Sequence, residues 1–99
     1  MRFEWDPDKA AANLRKHAVS FDIATRVFAD PFALTQGVGI EDGEERWQTL
    51  GTVEGFLVLL VAHTSREEGD EEQTMEIIRI VSARKADRKE RRRYEQETR

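Results

Sequence analysis

Seven consecutive apolar residues, Phe56 to Ala62, constrain this chain most. Apolar on both alternating faces, the run predicts a strand buried on both sides, at the centre of a sheet. It is too short to cross a bilayer, which takes about 20 residues. Ninety-nine residues make one domain, so every other segment must cover or extend that strand. Residues 1–95 are taken as the domain and 96–99 as a disordered tail.

The flanking segments supply the rest of an α+β fold. Phe3 to Trp5 reads as a short first strand. Asp6-Pro7 starts a helix, with Asp6 accepting from the open amides and Pro7 at the first helical position. Lys16-His17 sit where a helix dipole favours cations. Ser20 caps a second helix whose Phe21, Ala24, Val27 and Phe28 share a face, and Asp30-Pro31 ends it. Phe32 to Thr35 alternates weakly before a turn or bulge at Gly37-Val38-Gly39. Arg46 to Leu50 is a strand candidate, and Thr52 to Gly55 a hairpin turn. Glu67 to Glu72 reads as an acidic loop, Thr74 to Val81 as the last strand. Asp87 and Glu90 have capping-box spacing ahead of a polar helix whose one large apolar residue is Tyr94. Such a helix either stays solvated or docks on a partner. The predicted order is β-α-α-β-β-β-β-α, with helices on one face of a mainly antiparallel sheet.

The net charge of −4 conceals a segregation. Residues 41–78 carry eleven acidic and two basic groups; residues 79–99 carry nine basic and four acidic. Clustered cations attract phosphate locally whatever the sum. Without cysteine there is no disulfide, thiol nucleophile or cysteine-ligated zinc. No phosphate-binding glycine loop, nucleophile elbow or two-metal carboxylate pattern occurs. No cofactor or metal is expected, and no membrane association. Met1 to Asp6 lacks the apolar core of a signal peptide, so a soluble cytoplasmic protein is expected.

Metal-free cleavage of a phosphodiester needs a base for the 2′-hydroxyl, cations for the phosphorane and an acid for the leaving oxygen. Arginine's planar fork suits the second role. Arg79 and Arg84 flank the last strand's end. An odd spacing aims them at opposite faces unless the chain bends after Val81; each can instead form a structural ion pair. Arg66 is either a site cation or a partner for Glu67 and Glu68. His63 has a pKa suited to acid–base work, yet also fits a packed, hydrogen-bonded role; His17 fits a helix-end cation. Glu45, or Glu44 on the opposite face, is a base candidate, and both also suit a solvated turn. Trp5 and Trp47 are either base-stacking platforms or core. Lys16, Arg46, Arg88, Lys89, Arg91 and Arg92 are candidate RNA contacts. The run from Arg88 also fits docking to an acidic partner, or solvation alone.

Phe3-Glu4-Trp5-Asp6-Pro7-Asp8-Lys9, then Asn13, Lys16-His17 and Ser20-Phe21, resemble the start of the BrnT family. Gly43 to Trp47, Ala62-His63-Thr64, Arg79 to Ala86 and Arg88 to Tyr94 resemble its later motifs in the same order, covering nearly the whole chain. The resemblance implies a RelE-like toxin of a type II toxin–antitoxin pair, an endoribonuclease that inhibits translation. For that activity the residues themselves offer a catalytic set of Glu45, His63, Arg66, Arg79 and Arg84, in which His63, Arg66 and Arg84 would converge at one edge of the sheet. The resemblance implies as partner a BrnA-like ribbon-helix-helix antitoxin, in a heterotetramer that meets operator DNA only through the antitoxin and represses the operon. The acidic stretch Glu67 to Glu72 is longer and more charged than the family's, and is expected to lie away from RNA. The alternatives are a non-catalytic protein- or RNA-binding module of the same fold, or a decayed toxin.

Overall fold

The computed structural model describes residues 1–97. Strand β1 (Arg2–Glu4) leads into α1 (Pro7–His17) and α2 (Phe21–Ala24), which continues as a 3-10 turn over Thr25–Ala29. Four long strands follow: β2 (Leu34–Glu41), β3 (Glu44–Val53), β4 (Leu57–Gly69) and β5 (Thr74–Lys85); α3 (Arg88–Glu97) closes the fold. The sheet order is β1-β5-β4-β3-β2, antiparallel except for β1 on β5. Leu57 to Ala62 of the apolar run lie in the middle strand, as the two-faced pattern requires, whereas Phe56, expected in the strand, belongs to the exposed turn before it.

Local capping chemistry sets the helices. Asp6 accepts from the Asp8 amide at 2.9 Å and Ser20 from the Ile23 amide at 3.1 Å. Asp87 and Glu90 bond each other's amides reciprocally, at 2.8 and 2.9 Å. The hairpin between β3 and β4 turns on Glu54 and Gly55, both with positive φ, which suits the sheet's twist.

One face of the sheet, face A, packs under α1, α2 and the 3-10 turn. Leu59, Val61, Ile78, Ile80 and Ala83 meet Phe21, Ala24 and Val27 there. Gly51 lets the 3-10 turn close on β3: a Cβ would stand 2.9 Å from Val27 Cγ1. Asn13 of α1 extends the sheet where β1 stops. Its amide donates to the Ala83 carbonyl at 2.8 Å and accepts from the Ala83 amide at 3.1 Å. This buried pairing brings the start of α1 against the edge of β5.

The other face, face B, carries a smaller core of Leu50, Val58, Leu60, Ala86 and Tyr94. So α3 docks on its own sheet through Tyr94, whose hydroxyl donates to Asp30.

Three expectations need correcting. Ser65 to Gly69 is strand, exposed on both sides, and the turn is confined to residues 70–73. Pairing across the hairpin explains this: Glu67 faces Glu76 and Gly69 faces Thr74. Second, β5 continues through Lys85 rather than stopping at Val81. Third, Gln96 and Glu97 are helical; the rest of the expected tail, 98–99, lies outside the described residues. Among the described residues no helix is long and apolar enough to cross a membrane.

Candidate functional site

Strand parity sorts the candidate residues between the two faces. Glu45, Trp47, His63, Ser65, Glu67 and Glu76 fall on face A, where they line an open groove of about 460 Å³ with Arg66 and Thr35. His63 is 3 % exposed at its base. Its ring packs edge-on to Phe28, with centroids 4.9 Å apart. Nε2 lies 2.7 Å from Thr49 Oγ1, itself 2.8 Å from Thr35 Oγ1. Burial holds the imidazole below its ordinary pKa, so it is neutral at pH 7. Arg66 is held by Glu4 and Glu68, and these contacts raise its pKa further. Glu45, Glu67 and Glu76 line the groove and the Arg66 guanidinium is taken up by Glu4 and Glu68, so it is a poor seat for phosphate.

Arg79 and Arg84 lie on face B. A bulge allows this: His63 pairs with Ile80 and Ala62 with Ser82, leaving Val81 without a partner and reversing the parity beyond it. They still do not share a site. Arg79 pairs with Thr64 and Arg84 with Leu60, four residues or about 13 Å apart along β4. Arg84 donates to both carboxylate oxygens of Glu90, at 2.8 and 3.0 Å. That bidentate pair raises the arginine's pKa and lowers the glutamate's. The expected convergence of His63, Arg66 and Arg84 at one edge of the sheet does not occur, because Arg84 faces away from His63 and bonds to α3, while Arg66 is taken up by Glu4 and Glu68.

Around Arg79 the geometry differs. A narrow cavity of about 140 Å³ is lined by Asp6, Lys9, Asp42, Glu44, Arg46, Thr64, Arg79, Ile80 and Val81. β3, β4 and β5 supply Arg46, Thr64 and Arg79 from face B. The β2–β3 turn supplies Asp42, and the first residue of β3 is Glu44. Lys9 arrives because Asn13 pins α1 to the β5 edge. Among the described residues, Arg79 and Lys9 form no ion pair, and Arg46 Nε is buried without a hydrogen-bond partner. The carboxylate nearest Arg46, on Glu41, is 3.9 Å away. Leaving such a donor without a hydrogen bond costs about 1–3 kcal/mol.

Lys9, Thr64 and Asp6 are the site residues that sequence reasoning missed. Asp6 shows only its capping signal, Thr64 ends an apolar run, and nothing in Lys9's spacing links it to Arg79. Of the RNA candidates, Arg46 lines this cavity. Arg88, Arg91 and Arg92 line a separate groove of about 340 Å³ with Phe56, Val58 and Glu95. Lys89 is exposed on α3, and Lys16 is exposed near the end of α1 and lines none of the three. Trp5 meets Phe21 edge-on in the core, while Trp47 is half-buried over Gly37.

Comparison with known proteins agrees on the fold. The family model for the BrnT ribonuclease toxin of type II toxin–antitoxin systems matches residues 5–90. The 1.1 Å crystal structure of the Brucella abortus ribonuclease toxin BrnT is similar, with a TM-score of 0.59. That likeness, at 21 % identity, covers 89 % of this chain and 99 % of that one, and speaks for the fold alone. No curated protein matches the chain.

Proposed function

The chain belongs to the BrnT family of ribonuclease toxins of type II toxin–antitoxin systems, and from that premise we propose that it cleaves RNA in the Lys9–Arg46–Arg79 cavity, by acid–base chemistry of its own side chains. Arg46 and Arg79 take the non-bridging oxygens of one phosphate. Glu44 accepts the 2′-hydroxyl proton. The 2′-oxygen attacks phosphorus, the bond to the 5′-oxygen breaks, and Lys9 protonates that leaving oxygen. The products are a 2′,3′-cyclic phosphate and a 5′-hydroxyl. Charge developing on the phosphorane is met by donors already in place, which is where such sites gain most. The observation that carries this reading is the buried, unpartnered Arg46 Nε in a cavity shared with Arg79.

A type II toxin has a protein antitoxin as its partner. We take it to be a BrnA-like ribbon-helix-helix protein that silences the toxin in a heterotetramer and represses the shared operon through its own DNA contacts. Cleavage of cellular RNA would then halt translation in the cytoplasm.

The test is cleavage of bulk RNA by the purified protein with EDTA present. Wild type is expected to cut, leaving cyclic-phosphate ends. Activity that returns only on adding a divalent cation would remove the metal-free chemistry. Silence under both conditions, with antitoxin binding intact, would favour a binding module or decayed toxin.

A further inference from the structure

The groove beside α3 lies on the same face of the sheet as the cavity. Phe56 sits in the β3–β4 turn with its ring 80 % exposed. Next to it, Arg88, Arg91 and Arg92 line the groove, with Val58 as its floor and Glu95 at its margin. None of these three arginines forms an ion pair among the described residues, whereas Arg93 of the same helix pairs with Glu97 at 3.8 Å. A fully exposed aromatic ring costs solubility and contributes nothing to the core. A base can stack on it whatever its identity, because every base has a π-face.

The groove and the cavity lie on one line. Val58, Leu60, Ala62 and Thr64 alternate along β4 on face B, with Val58 at the groove and Thr64 at the cavity. Six residues of strand separate them by about 20 Å. Arg46, Gln48 and Leu50 run beside them on β3. Arg84 is paired with Glu90 midway, so cation density rises at both ends of the line rather than between them.

We propose that single-stranded RNA lies along face B, with the scissile phosphate in the Lys9–Arg46–Arg79 cavity and a distant base stacked on Phe56, its flanking phosphates held by Arg88, Arg91 and Arg92. The proposal rests on the ribonuclease reading for the cavity and adds a substrate subsite to it. Capture at Phe56 is indifferent to base identity and selects unpaired strands, because a paired base has no open face.

The experiment separates binding from cleavage. All-2′-O-methyl RNA has no 2′-hydroxyl to attack, so it binds without being cut. Oligonucleotides from about 4 to about 16 nucleotides, the range a single-strand groove occupies, are titrated by fluorescence anisotropy against wild type, Phe56→Ala and Phe56→Trp. Affinity is expected to climb with length until both ends of the line are reached. Phe56→Ala should weaken the long oligonucleotides by on the order of tenfold and leave the shortest unchanged; Phe56→Trp should restore binding. Arg88→Ala with Arg92→Ala should reduce the salt dependence of log Kd by about 0.7 per lost phosphate contact. Phe56 is exposed, so its variants should keep the wild-type circular dichroism spectrum. Equal binding by all three proteins at every length would overturn the subsite. So would binding of a glutamate-rich peptide, but no RNA, at Phe56; that outcome assigns the groove to a protein partner. If Phe56-dependent binding persists while wild type never cuts RNA, the cavity reading fails and the surface stands alone.

Discussion

Two arginines, one at each end of the Arg79–Arg84 stretch of β5, share face B and have opposite surroundings. Arg84 is clamped by two hydrogen bonds to Glu90, a residue that also caps α3. Arg79, an odd number of residues away and brought to the same face by the Val81 bulge, has no such partner among the described residues. Two other candidates repeat the lesson: Arg66 is tied to Glu4 and Glu68, and His63, on face A, is closed in by Thr49 and Phe28. A charged residue whose partners are all within the fold stabilises that fold. One kept without them, at some cost, is available for substrate.

The largest expected effect follows directly. Arg79→Ala should lower RNA cleavage by about 10²–10³-fold, the loss typical of one preorganised charge-stabilising donor, with the melting temperature hardly changed. Arg84→Ala should do the reverse. It leaves Glu90 without its bidentate partner and should cost about 1 kcal/mol of stability, or roughly 4–8 °C in a domain of this size, while each folded molecule still cuts. Single-turnover rates and thermal melts of both variants measure this. Equal activity losses would break the distinction between the two ends.

Next in size is Gly51→Ala on face A. The added methyl meets Val27 Cγ1 at 2.9 Å and the Val27 carbonyl at 3.2 Å, against a turn that has little room to move. Overpacking of this kind costs about 1–3 kcal/mol, readable as a shift in the urea midpoint. Tyr94→Phe comes close behind. It removes the hydroxyl that bonds Asp30 while keeping the ring in the Leu50–Val58–Leu60 cluster. Burial pushes Asp30 up, but the hydrogen bonds from Tyr94, Thr52 and Phe32 outweigh it and hold its carboxyl below the usual range. Losing one of them should cost about 1–2 kcal/mol. Because the pKa is depressed, that stability is present above about pH 4 and lost as pH falls through the folded value, so the variant should differ least from wild type in acid.

These residues also show what could be read from the chain alone. Asp6-Pro7, Ser20 and the Asp87–Glu90 box act within four residues, and each was legible as a cap because its partner is a neighbouring amide. The apolar run announced the central strand for a similar reason: its pattern is its burial. Ser65 to Gly69 was illegible as strand because both its faces are wet, so alternation leaves no trace; only pairing with β5 makes it extended. The Val81 bulge was posed by the odd spacing of Arg79 and Arg84, but its position depends on register with β4. Lys9's place in the cavity depends on Asn13 reaching Ala83, a contact across most of the chain that no local pattern encodes.

A smaller effect tests whether His63 belongs to the fold or to the chemistry. Burial keeps its imidazole neutral, against weaker opposing effects from the Thr64 carbonyl and Glu76. The unfolded chain binds a proton near pH 6.5 that the folded chain refuses until lower pH. Stability should therefore be full above about pH 6.5 and decline below it, levelling off once the folded imidazole is itself protonated. Urea midpoints at pH 7.5 and 5.5 should differ in wild type. In His63→Gln, which can keep a bond to Thr49, that difference should shrink. Cleavage measured at one pH on the folded fraction should survive the change if His63 is structural.

The smallest effect is expected at Arg66, and it sharpens the contrast most. Its bonds to Glu4 and Glu68 are exposed, where solvent and salt screen ion pairs until little net stability remains. Arg66→Ala should leave both the melting temperature and the cleavage rate close to wild type. The groove it lines with Glu45 and His63 holds the residue types that a sequence-based reading prefers for acid–base catalysis, so the experiment sets composition against geometry. A hundredfold loss in Arg66→Ala, with Arg79→Ala unaffected, would move the site to the groove that Arg66 lines with Glu45 and His63 and make the paired arginine the working one. The reverse result locates the chemistry in the cavity where, among the described residues, Arg79 and Lys9 form no ion pair, and shows that the availability of a charge decides its use.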